Sequence, residues 1–279
     1  MVNEPMRSLA KCSKEPWMTE SPPIFIADSC IGGLSVIRSL WDAGEAGNAI
    51  FLADYAINPL GVKSDPEIAS VVKRWLRSAE QQSDTLVIAC NTLSVRHRKL
   101  QLSKTSLSGP KHIVSMVDCF EALVRTEKSL LADKGILIVG TRYTAAESVY
   151  PDILRAAIPG ARIKTIAATE LERVIARFEP SDSTDDSVLT RELRLALQET
   201  DVAILACTCF PIVMASLKSL FPHVTFLDPG AYCAGLLPKH SAMSDKRLRL
   251  KVTGNVVSAT RAVDFAESHL GTGEIECCT

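Results

Sequence analysis

Two stretches of this chain follow one plan: DTLVIACNT (Asp84–Thr92) and DVAILACTC (Asp201–Cys209). Each runs from an Asp through an apolar strand to Ala and Cys, then into a polar segment that opens a helical pattern. A cysteine closing a buried strand is usually an inert, small core residue. As a thiolate it is also a base and a nucleophile. Two such bases on opposite sides of one cleft allow a reaction that neither allows alone. One thiolate takes the proton from a weakly acidic carbon, and the other thiol delivers a proton to the opposite face. Carbon stereochemistry is inverted, and for the mirror-image substrate the roles exchange. Free cysteine ionises near pH 8.5, so such a site must support the thiolate and exclude water from it. Helix N-termini and neighbouring hydroxyl or amide donors supply that support.

The elements needed to position Cys90 and Cys207 are legible in the apolar pattern. Short apolar runs predict strands at Ile24–Ala27, Ala49–Leu52, Leu86–Ala89, Ile113–Met116, Ile136–Val139, Ala203–Ala206, Val224–Leu227 and Leu248–Val252. Helical spacing falls between them, at Gly33–Leu40, Asp65–Ser78, Ala145–Ala157, Asp186–Glu199 and Ile212–Leu220. Strands alternating with helices imply a parallel α/β sheet. A second internal pair, IFIADS (Ile24–Ser29) and ILIVGT (Ile136–Thr141), repeats at nearly the same offset as the cysteine strands, which points to two similar α/β halves. Ligands of open parallel sheets sit at the carboxyl ends of the strands. That is where Asp28, Asp54, Cys90, Thr141, Cys207 and Asp228 fall.

Composition narrows the class. The 279 residues are 47% hydrophobic and 23% charged, with a formal net charge of −1. This is the balance of a globular protein with real cores, and it gives no basic surface for nucleic acid. No apolar run is long enough to span a membrane. Residues 1–21 lack the apolar centre of a signal peptide and are expected to form a flexible extension, which leaves a cytoplasmic location as the expectation. The nine cysteines are an odd number in a long chain, as in a reducing compartment. Cys12, Cys277 and Cys278 lie towards the ends and carry no evident chemistry. Cys207 and Cys209 would make half a zinc shell, and no Cys or His pair elsewhere completes it, so no metal and no cofactor are expected.

Seven ordered motifs across residues 24–271 make the chain resemble glutamate racemase, in the aspartate/glutamate racemase superfamily. Asp28-Ser29-Cys30-Ile31-Gly32-Gly33-Leu34-Ser35 is similar to the family's Asp-Ser-Gly-x-Gly-Gly-Leu-Ser turn. Asp54 with Pro59-Leu60-Gly61-Val62-Lys63-Ser64 is similar to its Pro-Tyr-Gly-x-Lys-Ser motif. Cys90-Asn91-Thr92 matches the first cysteine motif, and Cys207-Thr208-Cys209-Phe210-Pro211 partly matches Cys-Thr-His-Tyr-Pro. Thr141–Tyr150, Leu227-Asp228-Pro229-Gly230 and Val252-Thr253-Gly254-Asn255 resemble the later turns.

The resemblance implies two flavodoxin-like parallel-sheet domains about a pseudo-two-fold, with the active site in the cleft between them. Residues 22–115 with 229–279 would form the first domain and 116–228 the second. It implies a cofactor-independent two-base racemase of glutamate, a homodimer, with Cys90 and Cys207 as bases and Asp28 and Cys209 assisting. Ser29, Asn91, Thr92, Thr141, Thr144 and Thr208 would hold the amino-acid substrate, with backbone at Pro59, Leu60 and Gly61. D-Glutamate made this way is a peptidoglycan precursor or the start of a specialised product.

The plainer readings stand beside these. Asp28, Ser29 and Thr208 are also residue types that cap helices, and Asp118, Asp228 and His97 read as structural or surface groups. Three positions depart from the family: Cys209 replaces a His, Cys30 replaces a Gly and suggests a strained or altered turn, and Leu60 replaces a Tyr. IAATELERV (Ile166–Val174) stands where the family has a Cys-Pro stretch. The departures keep open a racemase of another amino acid, a related decarboxylase or isomerase, and an inactive amino-acid-binding protein.

Overall fold

The computed structural model describes residues 22–45, 47–100, 109–178, 189–238, 246–254, 259–271 and 273–278. The expected extension 1–21, with Cys12, lies outside the described residues, as do Asn255 and the first residues of the helix expected from Asp186.

Among the described residues, ten strands form two sheets. The first contains β1 (Ile24–Asp28), β2 (Asn48–Asp54), β3 (Thr85–Ile88), β4 (His112–Ser115), β9 (Arg247–Thr253) and β10 (Glu274–Cys278), in the order β10-β9-β2-β1-β3-β4. The second contains β5 (Gly135–Gly140), β6 (Arg162–Ala167), β7 (Val202–Ala206) and β8 (Thr225–Leu227), in the order β6-β5-β7-β8. Every strand pair is parallel. The order β2-β1-β3-β4 is repeated by β6-β5-β7-β8, so the internal repeat in the sequence is a repeat of topology. In each sheet the chain goes to one side of its first strand and then crosses to the other, which opens a crevice at the switch point. Cys90 and Cys207 leave the equivalent strands β3 and β7, beside the ends of β1 and β5.

The helices are α1 (Gly33–Asp42), α2 (Asp65–Glu80), α3 (Asn91–Leu100), α4 (Met116–Thr126), α5 (Lys128–Leu131), α6 (Arg142–Ala146), α7 (Val149–Ala157), α8 (Thr169–Ala176), α9 (Arg191–Gln198), α10 (Met214–Leu220) and α11 (Ala259–Leu270). α2 shows why they form. Ser64 and Glu67 make a capping box, Pro66 occupies the first turn, and Ile68, Val71, Val72, Trp75, Leu76 and Ala79 bury one face. Each large side chain buried there contributes about 1.5–3 kcal/mol. Asp54, at the end of β2, accepts hydrogen bonds from Trp75 Nε1 at 2.7 Å and from the Thr253 hydroxyl of β9 at 2.5 Å. That carboxylate pins α2 and the returning strand to the first sheet.

Several boundaries differ from the sequence reading. The strand expected to reach Met116 ends at Ser115, which caps α4 in a capping box with Asp118. The single helix expected over Ala145–Ala157 is two, because Pro151 has no N–H for the carbonyl of Glu147 and its ring would clash there. Ile212–Leu220 begins as a 3₁₀ turn, Phe210–Val213, before α10. Cys277 and Cys278 belong to a sheet strand, β10. Two strands, β6 and β10, had no counterpart in the reading. No helix among the described residues is long and apolar enough to cross a membrane.

Candidate active site

The carboxyl ends of the strands open onto a cavity of ≈ 520 Å³ between the two sheets. From the first half it is lined by Asp28, Ser29, Cys30, Cys90, Asn91 and Thr92, and by the Pro59–Gly61 turn. From the second half come Thr141, Cys207 and Thr208. The structure therefore brings together both strand-end cysteines and most of the residues expected around them. Thr144 and Cys209 are exceptions. Thr144 is buried behind Thr141, whose hydroxyl is 3.0 Å from its own, and does not line the cavity. Cys209 is fully buried, also outside the cavity wall.

Cys90 is positioned by β3 and by α3, which starts at the next residue. Its Sγ lies 3.4 Å from Ser29 Oγ, and the Leu93 N–H in the first turn of α3 also reaches it. Those bonds favour the thiolate, yet burial and the charge of Asp28 outweigh them and push the Cys90 thiol well above its usual value. Asp28 is 1% exposed and does not cap α1, whose start at Gly32 receives no side-chain bond. It accepts from the Thr208 hydroxyl at 2.7 Å and from the Ser29 amide at 2.6 Å. Burial nevertheless lifts it from 3.8 to about 6.

Cys207 is set differently. It is followed by Thr208, Cys209 and a 3₁₀ turn rather than a helix of several turns. Thr208 reaches across to Asp28, and Ser35 Oγ donates to the Thr208 carbonyl at 2.9 Å. A Cβ on Gly32 would lie 2.6 Å from Thr208 Oγ1 and 2.8 Å from the Cys209 nitrogen, so only glycine lets these two turns meet. The strain expected at Cys30 is absent: among the described residues only Asp133 and Phe178 are non-glycine residues with positive φ. On the other side of the cavity, Thr92 Oγ1 meets Thr141 Oγ1 at 2.9 Å and Tyr150 donates to Asn91 Oδ1 at 2.6 Å.

The sequence reading missed one wall. Thr169, Glu172, Arg173 and Arg177, on and just beyond α8, line the cavity with Arg142 and Tyr143 of α6. Burial and the charge of Asp28 raise Glu172 above the usual carboxylate value. The sequence signal nearest this wall was the segment Ile166–Val174, which stands where the resembled family has a Cys-Pro stretch. Among the described residues, no group of three or more His, Cys, Asp or Glu side chains is placed to hold a metal.

Matching thiols at equivalent strand ends open on one cavity between two like sheets, the architecture of an α/β enzyme whose site carries two ionisable sulfurs. The chain belongs to the Asp/Glu/Hydantoin racemase family, whose profile matches residues 48–237. It is 26% identical over 211 residues to "Glutamate racemase 3" of Caldanaerobacter subterraneus subsp. tengcongensis, covering 74% of each chain. Over 229 residues it is 28% identical to the glutamate racemase of Deinococcus radiodurans, covering 80% of this chain and 76% of that one. Glutamate racemase from Campylobacter jejuni shares its fold, with a TM-score of 0.69 at 24% identity over 89% of this chain and 98% of that chain.

Proposed function

We propose that this protein interconverts the L and D forms of an acidic amino acid, with glutamate as the first candidate, by proton transfer between Cys90 and Cys207. One observation carries the reading: these two thiols close equivalent strands of two sheets and line the same cavity. With the substrate Cα between them, one Sγ takes the Cα proton while the other thiol gives its proton to the opposite face. Each turnover leaves the two sulfurs with exchanged protonation, and no external acid or base is consumed. The start of α3, with the hydroxyls of Ser29, Thr92, Thr141 and Thr208, would hold the substrate carboxylates and offset negative charge developing at Cα. The two halves, 22–115 with 229–279 and 116–228, would close on the substrate and exclude water.

The glutamate racemases to which the chain is similar support this substrate. Glu172 in the cavity wall, Leu60 in place of Tyr and Cys209 in place of His favour a second reading, a racemase for a different amino acid. Incubation of the protein with each L- and D-amino acid in heavy water, followed by NMR, separates the readings. Racemisation gives Cα deuterium and inversion with glutamate or with the other amino acid. Loss of carboxylate indicates decarboxylation, and no exchange with any amino acid overturns both readings.

A further inference from the structure

Cys30 and Cys209 are far apart in sequence, and each stands where the resembled family has another residue. In the structure they touch: their sulfurs are 3.4 Å apart. Cys30 sits in the turn after β1 of the first sheet, and Cys209 in the turn after β7 of the second, so the contact spans the two halves. Repeat symmetry sharpens the point. Cys209 occupies the place in DVAILACTC that Thr92 occupies in DTLVIACNT. Thr92 makes a comparable contact between halves, hydroxyl to hydroxyl, with Thr141, the counterpart of Ser29 next to Cys30. One side of the cavity is thus clasped by a pair that oxidation leaves alone and the other by a pair that oxidation can join.

We propose that Cys30 and Cys209 form a redox-modification site, closed by hydrogen peroxide into a disulfide that staples the first sheet to the second. Access comes from the cavity, since Cys30 lines it while Cys209 lies behind. The Cys30 sulfur attacks one peroxide oxygen, the O–O bond breaks, and the departing hydroxide takes the thiol proton to become water. Cys30 is then a sulfenic acid. The Cys209 sulfur attacks it, the S–O bond breaks, and the hydroxyl leaves with the Cys209 proton as a second water. Two thiols are oxidised and one peroxide is reduced to two waters. The sulfurs must approach by only about 1.4 Å to reach the bonded distance of roughly 2.05 Å.

The hydrogen bond with Cys209 lowers the Cys30 thiol, but burial and the charges of Asp28 and Cys207 outweigh it and push it up to about 11. Attack is therefore slow, and the pair answers to sustained oxidant. A second buried pair, Cys119 and Cys233, also shares a hydrogen bond, but both residues are fully buried and neither lines the cavity. They serve as the internal comparison.

The test is to hold the whole protein with hydrogen peroxide, digest it without reduction, and map disulfides by mass spectrometry. The expected product is a Cys30–Cys209 cross-link, reversed by dithiothreitol and accompanied by a higher unfolding temperature. Both changes should be lost in C30S and C209S and kept in C119S. A Cys207–Cys209 or Cys90–Cys207 cross-link as the main product overturns the proposal, as does oxidation that leaves Cys30 and Cys209 reduced. A cross-link that lowers the unfolding temperature also overturns it, because the native contact would then not be what closed. Neither readout depends on racemase activity, so this test and the heavy-water test fail separately.

Discussion

The surroundings of Cys90 and Cys207 differ more than their strands do. Cys90 enters a ten-residue helix at once and lies against Ser29 and the buried Asp28. Cys207 enters a short 3₁₀ turn, and its neighbour Thr208 is tied to the same Asp28 from the opposite half. One carboxylate therefore serves both sides, in direct contact with the first cysteine's shell and through Thr208 with the second. Matching strands have carried two thiols to one cavity, while the loops after them have given the two sulfurs unlike neighbours. The proposed racemisation tolerates that difference, because each direction would use both groups.

The largest expected effect tests whether the two sides are both needed. Cys90→Ser and Cys207→Ser should each lower racemisation by about 10³-fold or more, within the range for losing a positioned acid or base. Chiral chromatography of glutamate incubations measures this. Near-normal racemisation in either variant removes that cysteine from the chemistry and breaks the pairing of the two sides.

The pH profile probes the shared electrostatics. The Cys90 thiol is held well above its usual value, so its thiolate fraction in the free protein grows with pH through the neutral range. We expect kcat/KM to rise up to about tenfold per pH unit between roughly pH 7 and 9. The rise should be equal from L and D substrate, because the equilibrium constant between enantiomers is one. A flat profile over that range would contradict the buried-thiol description.

Asp28 should show in stability as well as in activity. Its folded-state pKa is raised from 3.8 to about 6, so the folded protein holds this proton more tightly than the unfolded chain. The stabilisation is complete below about pH 4 and is lost as pH rises through about 6, a change of about 3 kcal/mol. Asp28→Asn should flatten that part of the stability curve, as measured by urea unfolding at several pH values. An unchanged slope would mean that the carboxylate is not buried as described.

The smallest effect concerns the thiol clasp. Cys209 is fully buried against Cys30, so the larger imidazole of Cys209→His overfills the site and should cost about 1–3 kcal/mol. Cys30→Gly should recover part of that cost when combined with it, giving a non-additive double-mutant cycle. Strict additivity in urea unfolding would show that the two departures from the family pattern are independent.

How much of this was legible in the sequence depended on burial. The eight expected strands are mostly apolar runs, and each coincides with an observed strand to within a few residues. The two that were missed are edge strands. β6 reads RIKTIA with alternating exposed and half-buried positions, and β10 reads EIECC. An edge strand buried on one side needs no continuous apolar run, so its signal is weak. The residues following the buried strands, from Asp28 and Cys90 to Thr208, were legible because motif and repeat agreed on them. The α8 wall was not, because Glu172 and Arg177 reach the cavity only through the way the second half packs on the first. The contact between Cys30 and Cys209 was hidden for the same reason: each was visible as a departure, and only the meeting of the two turns makes them a pair.

The pairing of β2 with β9 also bears on how the molecule is made. The chain leaves the first sheet after β4, builds the whole second sheet, and only then returns. During synthesis from the N-terminus, the second sheet can complete its pairing while β2 still presents a bare edge of apolar backbone, NAIFLAD. Until residues 247–253 emerge from the ribosome, that edge is open to pairing with another nascent chain. The strand that covers β2 is thus also the one that ends this edge's exposure to aggregation.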